Sequence, residues 1–485
     1  MRLSPYTKET SPETLTGLTG NPARDLVRSF NIQVILFLAL HIPLAVGMEF
    51  SPWISTAHAG ISLLFGLRAA LVGRVSQVIY AVAYIGAAEV LWRMSRAYVL
   101  WEYSKYAIVA IIFVAVVVEW GRDRENRRLR SGWPLLLFVT LVPASIMALL
   151  YYDMAEARDM LSFNLSGYLA LVALALYLWD RPINRDTAVR TLLALIAPII
   201  GITFLAVYYT ITDIDSLIFL GAANWVTSGN YGPNQVSNMM GLGALTGVML
   251  YILIPRARGA RILVLLFSFA MLGQGLLTFS RGGIYSFALA VAAFGLHLMN
   301  TPRARRRFLV LFVLFGAVLL AFVYPFLDDF TGGSLSQRFS DLDTTGRLEA
   351  ALTDLQVFAD NPVLGVGVGR SIEYHDTING ISLAAHTEFT RMLAEHGLFG
   401  ILAIAILVWM LISRYAANRP GLSRAMTAAF AVWAMSIMAH SALRLAVIPV
   451  TLALGLVLWR LQWRPKDKAS DTSEAIITAG QPFVG

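Results

Sequence analysis

Thr301-Pro302-Arg303-Ala304-Arg305-Arg306-Arg307 runs straight into nineteen residues without a charge, Phe308 to Phe326 (FLVLFVLFGAVLLAFVYPF). The hydrocarbon core of a bilayer is about 30 Å thick and takes about 20 apolar residues of helix to cross. Clustered Lys and Arg beside such a run stay on the cytoplasmic side. The stretch therefore reads as a membrane-spanning helix behind its inner anchor, and the question is how often the pattern repeats.

It repeats along nearly the whole chain of 485 residues. Spans are expected at 31–48, 54–72, 76–92, 104–120, 133–152, 163–179, 188–211, 233–254, 261–279, 282–299, 308–326, 398–413, 424–442 and 445–461. Composition agrees, with 57% hydrophobic and 14% charged residues and a mean hydropathy of +0.65. Soluble chains carry roughly 25% charged residues. A membrane β-barrel would show alternating segments of about ten residues, and that pattern is missing. The fold class expected is all-α: a polytopic transmembrane helical bundle of 12–14 spans with a large, partly helical periplasmic loop.

With the N-terminus inside, 28 of the 38 Lys and Arg fall on inner segments. That alternation predicts an N-in, C-in protein. Residues 1–30 read as a disordered cytoplasmic tail, 31–326 as spans 1–11, 327–397 as an exterior loop, 398–461 as spans 12–14, and 462–485 as a cytoplasmic tail. The net charge of +8 belongs to inner loops without interleaved aromatic platforms, so no nucleic-acid partner is expected. With no cysteine, disulfides, thiolate metal sites and cysteine nucleophiles are excluded. Glu89 and Arg93, four apart within a span, can satisfy each other.

Two exterior loops are long enough to be functional, Thr212–Gly232 and 327–397. In the second, Leu348, Leu352, Leu355 and Phe358 mark one face of a helix ended by Asn361-Pro362. Gly365, Gly367 and Gly369 lead as an irregular turn to Arg370, and a second helix is expected to start near Ser382 and run through His386. A neutral imidazole there can accept a proton near pH 7. Glu388, Arg391 and Glu395 share one face of that helix, either as an ion-pair ladder or as site residues. Ser280-Arg281-Gly282-Gly283 joins two spans with almost no loop. Arg281 beside bare backbone at a helix N-terminus suits an anion, though a snorkelling anchor would look the same. His440 and Arg444, one turn apart, could line a cavity or solvate its rim. No metal-ligand spacing is present, so neither metal nor cofactor is expected.

Several of these residues form an ordered set. Pro233-Asn234, Ser280-Arg281-Gly282-Gly283, Gly346-Arg347, Asn361-Pro362-Val363-Leu364-Gly365-Val366-Gly367 and His386-x-Glu388-Phe389-x-x-x-Leu393-Ala394-Glu395-x-Gly397 resemble the motifs of the O-antigen ligase/polymerase family across roughly residues 190–460. The resemblance implies a metal-independent, inverting glycosyltransferase of the GT-C type in the bacterial inner membrane. It would take a glycan from undecaprenyl pyrophosphate at the periplasmic face. The acceptor would be a lipid A-core sugar for a ligase, or a second lipid-linked glycan for an O-antigen or exopolysaccharide polymerase. His386 would be the base and Arg281 a pyrophosphate ligand. Thr387 stands where the family has Asn, and Thr212–Gly232 lacks the arginine that ligases place there, so Arg347, Arg370 or Arg444 would supply the second contact. Glu388, Arg391, Glu395, Asn234, Ser280, Gly282 and Gly283 would support the site. A protein O-oligosaccharyltransferase and a polysaccharide or lipid transporter are the more remote readings.

Overall fold

The computed structural model describes residues 22–122, 130–219, 221–254, 257–299, 302–341, 346–379, 387–441 and 443–461. The expected tail at 462–485, most of that at 1–30, and His386 lie outside the described residues. The first spans are α1 (Pro22–Ala39) with α2 (His41–Phe50), α3 (Pro52–Leu71), α4 (Val75–Met94), α5 (Tyr103–Arg122), α6 (Trp133–Tyr151) and α7 (Met154–Leu178). Then come α8 (Arg185–Thr212), α9 (Pro233–Leu253), α10 (Arg258–Leu277), α11 (Arg281–Leu298) and the near-continuous pair α12 (Pro302–Val318) and α13 (Tyr324–Phe330). Four short helices follow, α14 (Ser334–Ser340), α15 (Arg347–Asp360), α16 (Ser371–Asn379) and α17 (Glu388–His396), before α18 (Leu398–Ala417), α19 (Leu422–Met438) and α20 (Val447–Leu454).

Among the described residues, twelve helices are long and apolar enough to cross a membrane. The chain is a multi-pass, all-α membrane protein. The two least lipid-exposed spans, α8 and α9, form its hub: 83% and 94% of their apolar windows are buried. Small residues make that possible. Gly241 of α9 faces the backbone of Gly283 on α11, and Gly247 faces Ser268 on α10, so the helices approach closely enough for dispersion and interhelical hydrogen bonds to hold them where no hydrophobic drive exists. By contrast α12 and α13 expose Phe312, Leu314, Leu320, Phe322 and Phe326, a face for acyl chains.

Several polar groups inside the bundle are partnered across helices. Glu89 takes Arg93 at 2.8 Å and accepts from the Ala446 backbone N–H at 2.6 Å, so the expected pair also ties α4 to the start of α20. Trp92 Nε1–H donates to His58 Nδ1 (2.9 Å), His58 Nε2 meets Tyr84 OH (2.8 Å), and that hydroxyl meets His41 Nε2 (2.9 Å). His41 Nδ1 meets the Phe37 carbonyl at 2.9 Å. With an indole donor at one end and a carbonyl at the other, the tautomers are set, and the chain stitches α2, α3 and α4 together.

The final expected span, 445–461, is built otherwise. Its helix has eight residues, and the chain then extends into β2 (Leu458–Arg460), parallel to β1 (Pro182–Asn184) with Ile183 opposite Trp459. Non-helical backbone at membrane depth is tolerated only inside protein, and Val447–Val457 is buried throughout. The pairing puts residues 182–184 and 458–460 at the same face, opposite to the loop face where α8 ends and α9 begins.

Candidate active site

The chain leaves α10 through Thr278 and Phe279, whose φ of +58° is a strained left-handed turn for an aromatic residue. That reversal starts α11 at once, with Ser280 as its N-cap. Ser280 Oγ donates to Asn234 Oδ1 at 2.7 Å, and Ser237 Oγ donates to the Ser280 carbonyl at 2.8 Å. The start of α9 and the Ser-Arg-Gly-Gly turn are thus one unit. Its glycines make room: a Cβ on Gly283 would strike the Ser237 backbone, and one on Gly282 would enter the His440 ring. The earlier loop closes over the same turn, with Asn224 N–H donating to the Thr278 carbonyl (2.9 Å) and Phe219 stacked on Phe279.

Arginines collect here. Arg281 donates to the carbonyls of Arg338 and Asp341. Arg338, largely buried, donates through Nε to the Phe279 carbonyl at 3.3 Å and has Asp341 at 3.8 Å. Arg347 opens α15, and its guanidinium holds its proton less tightly than usual because of burial and the charges of Arg281 and Arg338. His440 completes the group. Its Nε2 lies 3.2 Å from Ser286 Oγ, and burial plus the Arg347 charge lower its pKa to about 4, leaving a neutral ring at neutral pH. Cations held this way, against carbonyls and one another, suit an anionic ligand.

The other expected residues lie elsewhere. Glu388, Arg391 and Glu395 are buried: Arg391 meets Glu388 at 2.5 Å, Glu395 at 3.1 Å and Asn164 Oδ1 at 2.9 Å. Glu388 also accepts from the Leu443 backbone N–H at 2.9 Å, and Ser371 Oγ donates to Glu395 at 3.1 Å. Burial alone would raise the Glu388 pKa, but Arg391 and these donors hold it below the usual range. The trio therefore pins α17 to α7, α16 and the segment before α20. Arg444 lies over Phe163 and within the field of that trio. Arg370 stands over the Tyr151 ring, 3.3 Å from its centroid, with Glu373 at 3.4 Å. Neither joins Arg281.

The glycine turn serves α17 as well. Val366 and Gly367 N–H donate to the Ala394 and Glu395 carbonyls, both at 3.0 Å, and Gly365 has φ +70° with the Glu395 backbone where a Cβ would sit. Thr387 caps α17 by accepting from Thr390 N–H at 3.2 Å, so the described helix starts two residues after His386.

Two features escaped sequence reasoning. Asp354, buried, accepts from Thr390 Oγ1 at 2.7 Å and faces His375 Nε2 at 2.8 Å, a contact among three residues whose spacing follows no period. And α15 is turned unexpectedly. Ala350, Thr353, Asp354 and Val357 are buried, whereas Leu348, Leu352 and Leu355 are exposed. This apolar stripe runs on through Val363 and Leu364 to α18, where Leu398 N–H donates to the Pro362 carbonyl at 2.8 Å and Leu398, Ile401 and Leu402 are exposed.

Residues 266–405 match the family model described as O-Antigen ligase. The match takes in the Ser280–Gly283 turn, Arg338, Arg347 and the α17 motif; Asn234, His440 and Arg444 fall outside it. No curated protein gives a significant match. The family match bears out the resemblance read from the motifs and supports a glycosyltransferase of the ligase/polymerase type that acts on lipid-linked glycans.

Proposed function

We propose that the chain is an inverting inner-membrane glycosyltransferase that moves a glycan from undecaprenyl pyrophosphate to an acceptor hydroxyl at the periplasmic face, with a lipid A-core sugar as acceptor. The observation that carries this reading is the convergence of Arg281, Arg338 and Arg347 on the Ser280–Gly283 turn, within the stretch that matches the ligase model.

A glycosyl pyrophosphate brings its own leaving group, so the protein must chiefly stabilise developing negative charge and orient the nucleophile. The acceptor oxygen bonds to the anomeric carbon as the bond to the pyrophosphate oxygen breaks. The electron pair leaves with the pyrophosphate, and the acceptor proton passes to a base. On the family resemblance that base is His386. Inversion requires base and leaving group on opposite sides of the sugar, roughly 6–10 Å apart by analogy with inverting glycosidases. Arg281 and Arg347 bind the pyrophosphate, and Arg338 braces Arg281 through its carbonyl. The leucine stripe of α15 rests in the outer leaflet, which keeps the loop at the depth of a lipid-linked donor.

The test is transfer by purified protein from lipid-linked oligosaccharide, given either lipid A-core or more of the same donor. A single shift of lipid A-core supports the ligase reading. A ladder from donor alone supports a polymerase. No product from wild type and His386→Ala alike, with either acceptor, overturns both, and a His386→Ala rate equal to wild type overturns the base.

A further inference from the structure

At the face opposite the candidate site, an open cavity of about 480 Å³ lies between the first turns of α4 and α8 and the β1–β2 pair. Its wall carries Arg130, Arg181 and Arg460 together with Ser76, Thr187 and Asn184; among the described residues no carboxylate lines it. Behind the wall a single acid, Glu119, serves two of the three guanidiniums, Arg181 at 2.7 Å and Arg130 at 3.3 Å. Three cations therefore line one concave surface, and among the described residues two of them share a single carboxylate.

Basic residues that only set orientation can splay into water. Here they converge, and one is pre-positioned. The Arg181 side chain is 8% exposed, donates through Nε to the Tyr177 carbonyl at 3.0 Å, and lies over the Tyr177 ring at 4.1 Å. A guanidinium held in place loses little freedom when it takes a ligand. The Ser76 and Thr187 hydroxyls, 3.2 Å apart, add neutral donors on the same wall. Val75, Ile79 and Pro182 complete the lining, an apolar side beside a cationic one.

We propose that this cavity binds a phosphate group, carried by an anionic phospholipid headgroup or free in solution. Basic pockets between spans take phospholipid headgroups by this chemistry, and the apolar side suits the glycerol end of a lipid. An occupant would bridge Arg460 on β2 to Arg181 before β1, so it would fasten the last, broken crossing of the chain to α8.

The full chain in neutral detergent is titrated with phosphatidylglycerol, phosphatidylcholine or sodium phosphate, read by native mass spectrometry and by thermal unfolding. Phosphatidylglycerol should be retained and raise Tm where phosphatidylcholine does not. Arg460→Gln, at an exposed position, should weaken that binding about tenfold and leave the lipid-free Tm and the transferase rate unchanged; Arg130→Gln is the second variant. A comparable rise with sodium phosphate assigns the site to free phosphate as well, and a rise with phosphatidylglycerol alone assigns it to the headgroup. Equal retention of the two lipids with no effect of phosphate, unchanged binding in both variants, or a rise that sodium chloride reproduces at equal ionic strength overturns the proposal.

Discussion

Arg391 and Arg281 both lie at the loop face, within about a hundred residues of one another, and their surroundings differ in kind. Arg391 is buried between two carboxylates, and its Nη1 also donates to Asn164. Arg281 meets backbone carbonyls and has Arg338 and Arg347 for neighbours. A guanidinium matched by carboxylates has spent its charge on the fold. Arg281 instead sits in a cluster of guanidiniums, the arrangement on which the proposed pyrophosphate contact rests. That difference in surroundings is why Arg391 is proposed to serve the fold and Arg281 to serve the ligand, where chain position alone does not distinguish them.

That contrast can be broken by experiment. The largest expected effect is on folding: Arg391→Leu should destabilise the protein by about 3–5 kcal/mol, since it leaves two buried carboxylates without their cation. Thermal unfolding in detergent measures it, and a loss below 1 kcal/mol would mean the trio is not structural. Arg281→Ala should leave Tm nearly unchanged and lower the transfer rate by roughly 100–1,000-fold; an equal fall in Tm would erase the distinction. Arg347→Ala, at the edge of the same cluster, should lower the rate about tenfold, with Arg347→Lys recovering part of it.

Acid tests the two clusters through His440. Its folded-state pKa near 4 lies below the ordinary 6.5, so the unfolded chain binds the proton first. The His440 contribution is level above about pH 6.5 and costs stability as pH drops from there through about 4; His440→Gln should make that limb shallower by the uptake of one proton. The smallest effect concerns α15. Because the chain has no cysteine, a nitroxide at Leu352→Cys reports alone: it should relax faster with oxygen than with a water-soluble nickel chelate in proteoliposomes, and one at the exposed Asp360→Cys, on the polar side of α15, should show the reverse. Equal behaviour at both would detach the stripe from the lipid.

How much of this was legible beforehand follows from the range of each interaction. The spans were readable because burial in lipid demands an unbroken apolar run, and Glu89–Arg93 because four residues is one helical turn. The inward turn of Glu388, Arg391 and Glu395 was not, since a ladder on a helix surface and a buried triad share the same spacing. Arg338 was invisible for a related reason. Nothing near it in sequence marks it, and its partner carbonyl at Phe279 is 59 residues away. The leucines of α15 were seen as a face, but which way that face points depends on what α16 and α17 cover.

By itself, then, the amino-acid sequence determined an all-α multi-pass membrane chain, the placing of most of its apolar helices, and motifs that resemble those of the O-antigen ligase family, because hydropathy, helical period and short motifs are local properties. Only the tertiary structure decided that Arg281, Arg338, Arg347 and His440 lie together around the Ser280–Gly283 turn while Arg391 is held between Glu388 and Glu395, and that the final crossing is broken and paired to β1. Those outcomes rest on contacts between helices far apart in the chain, which helix packing sets and no local pattern encodes.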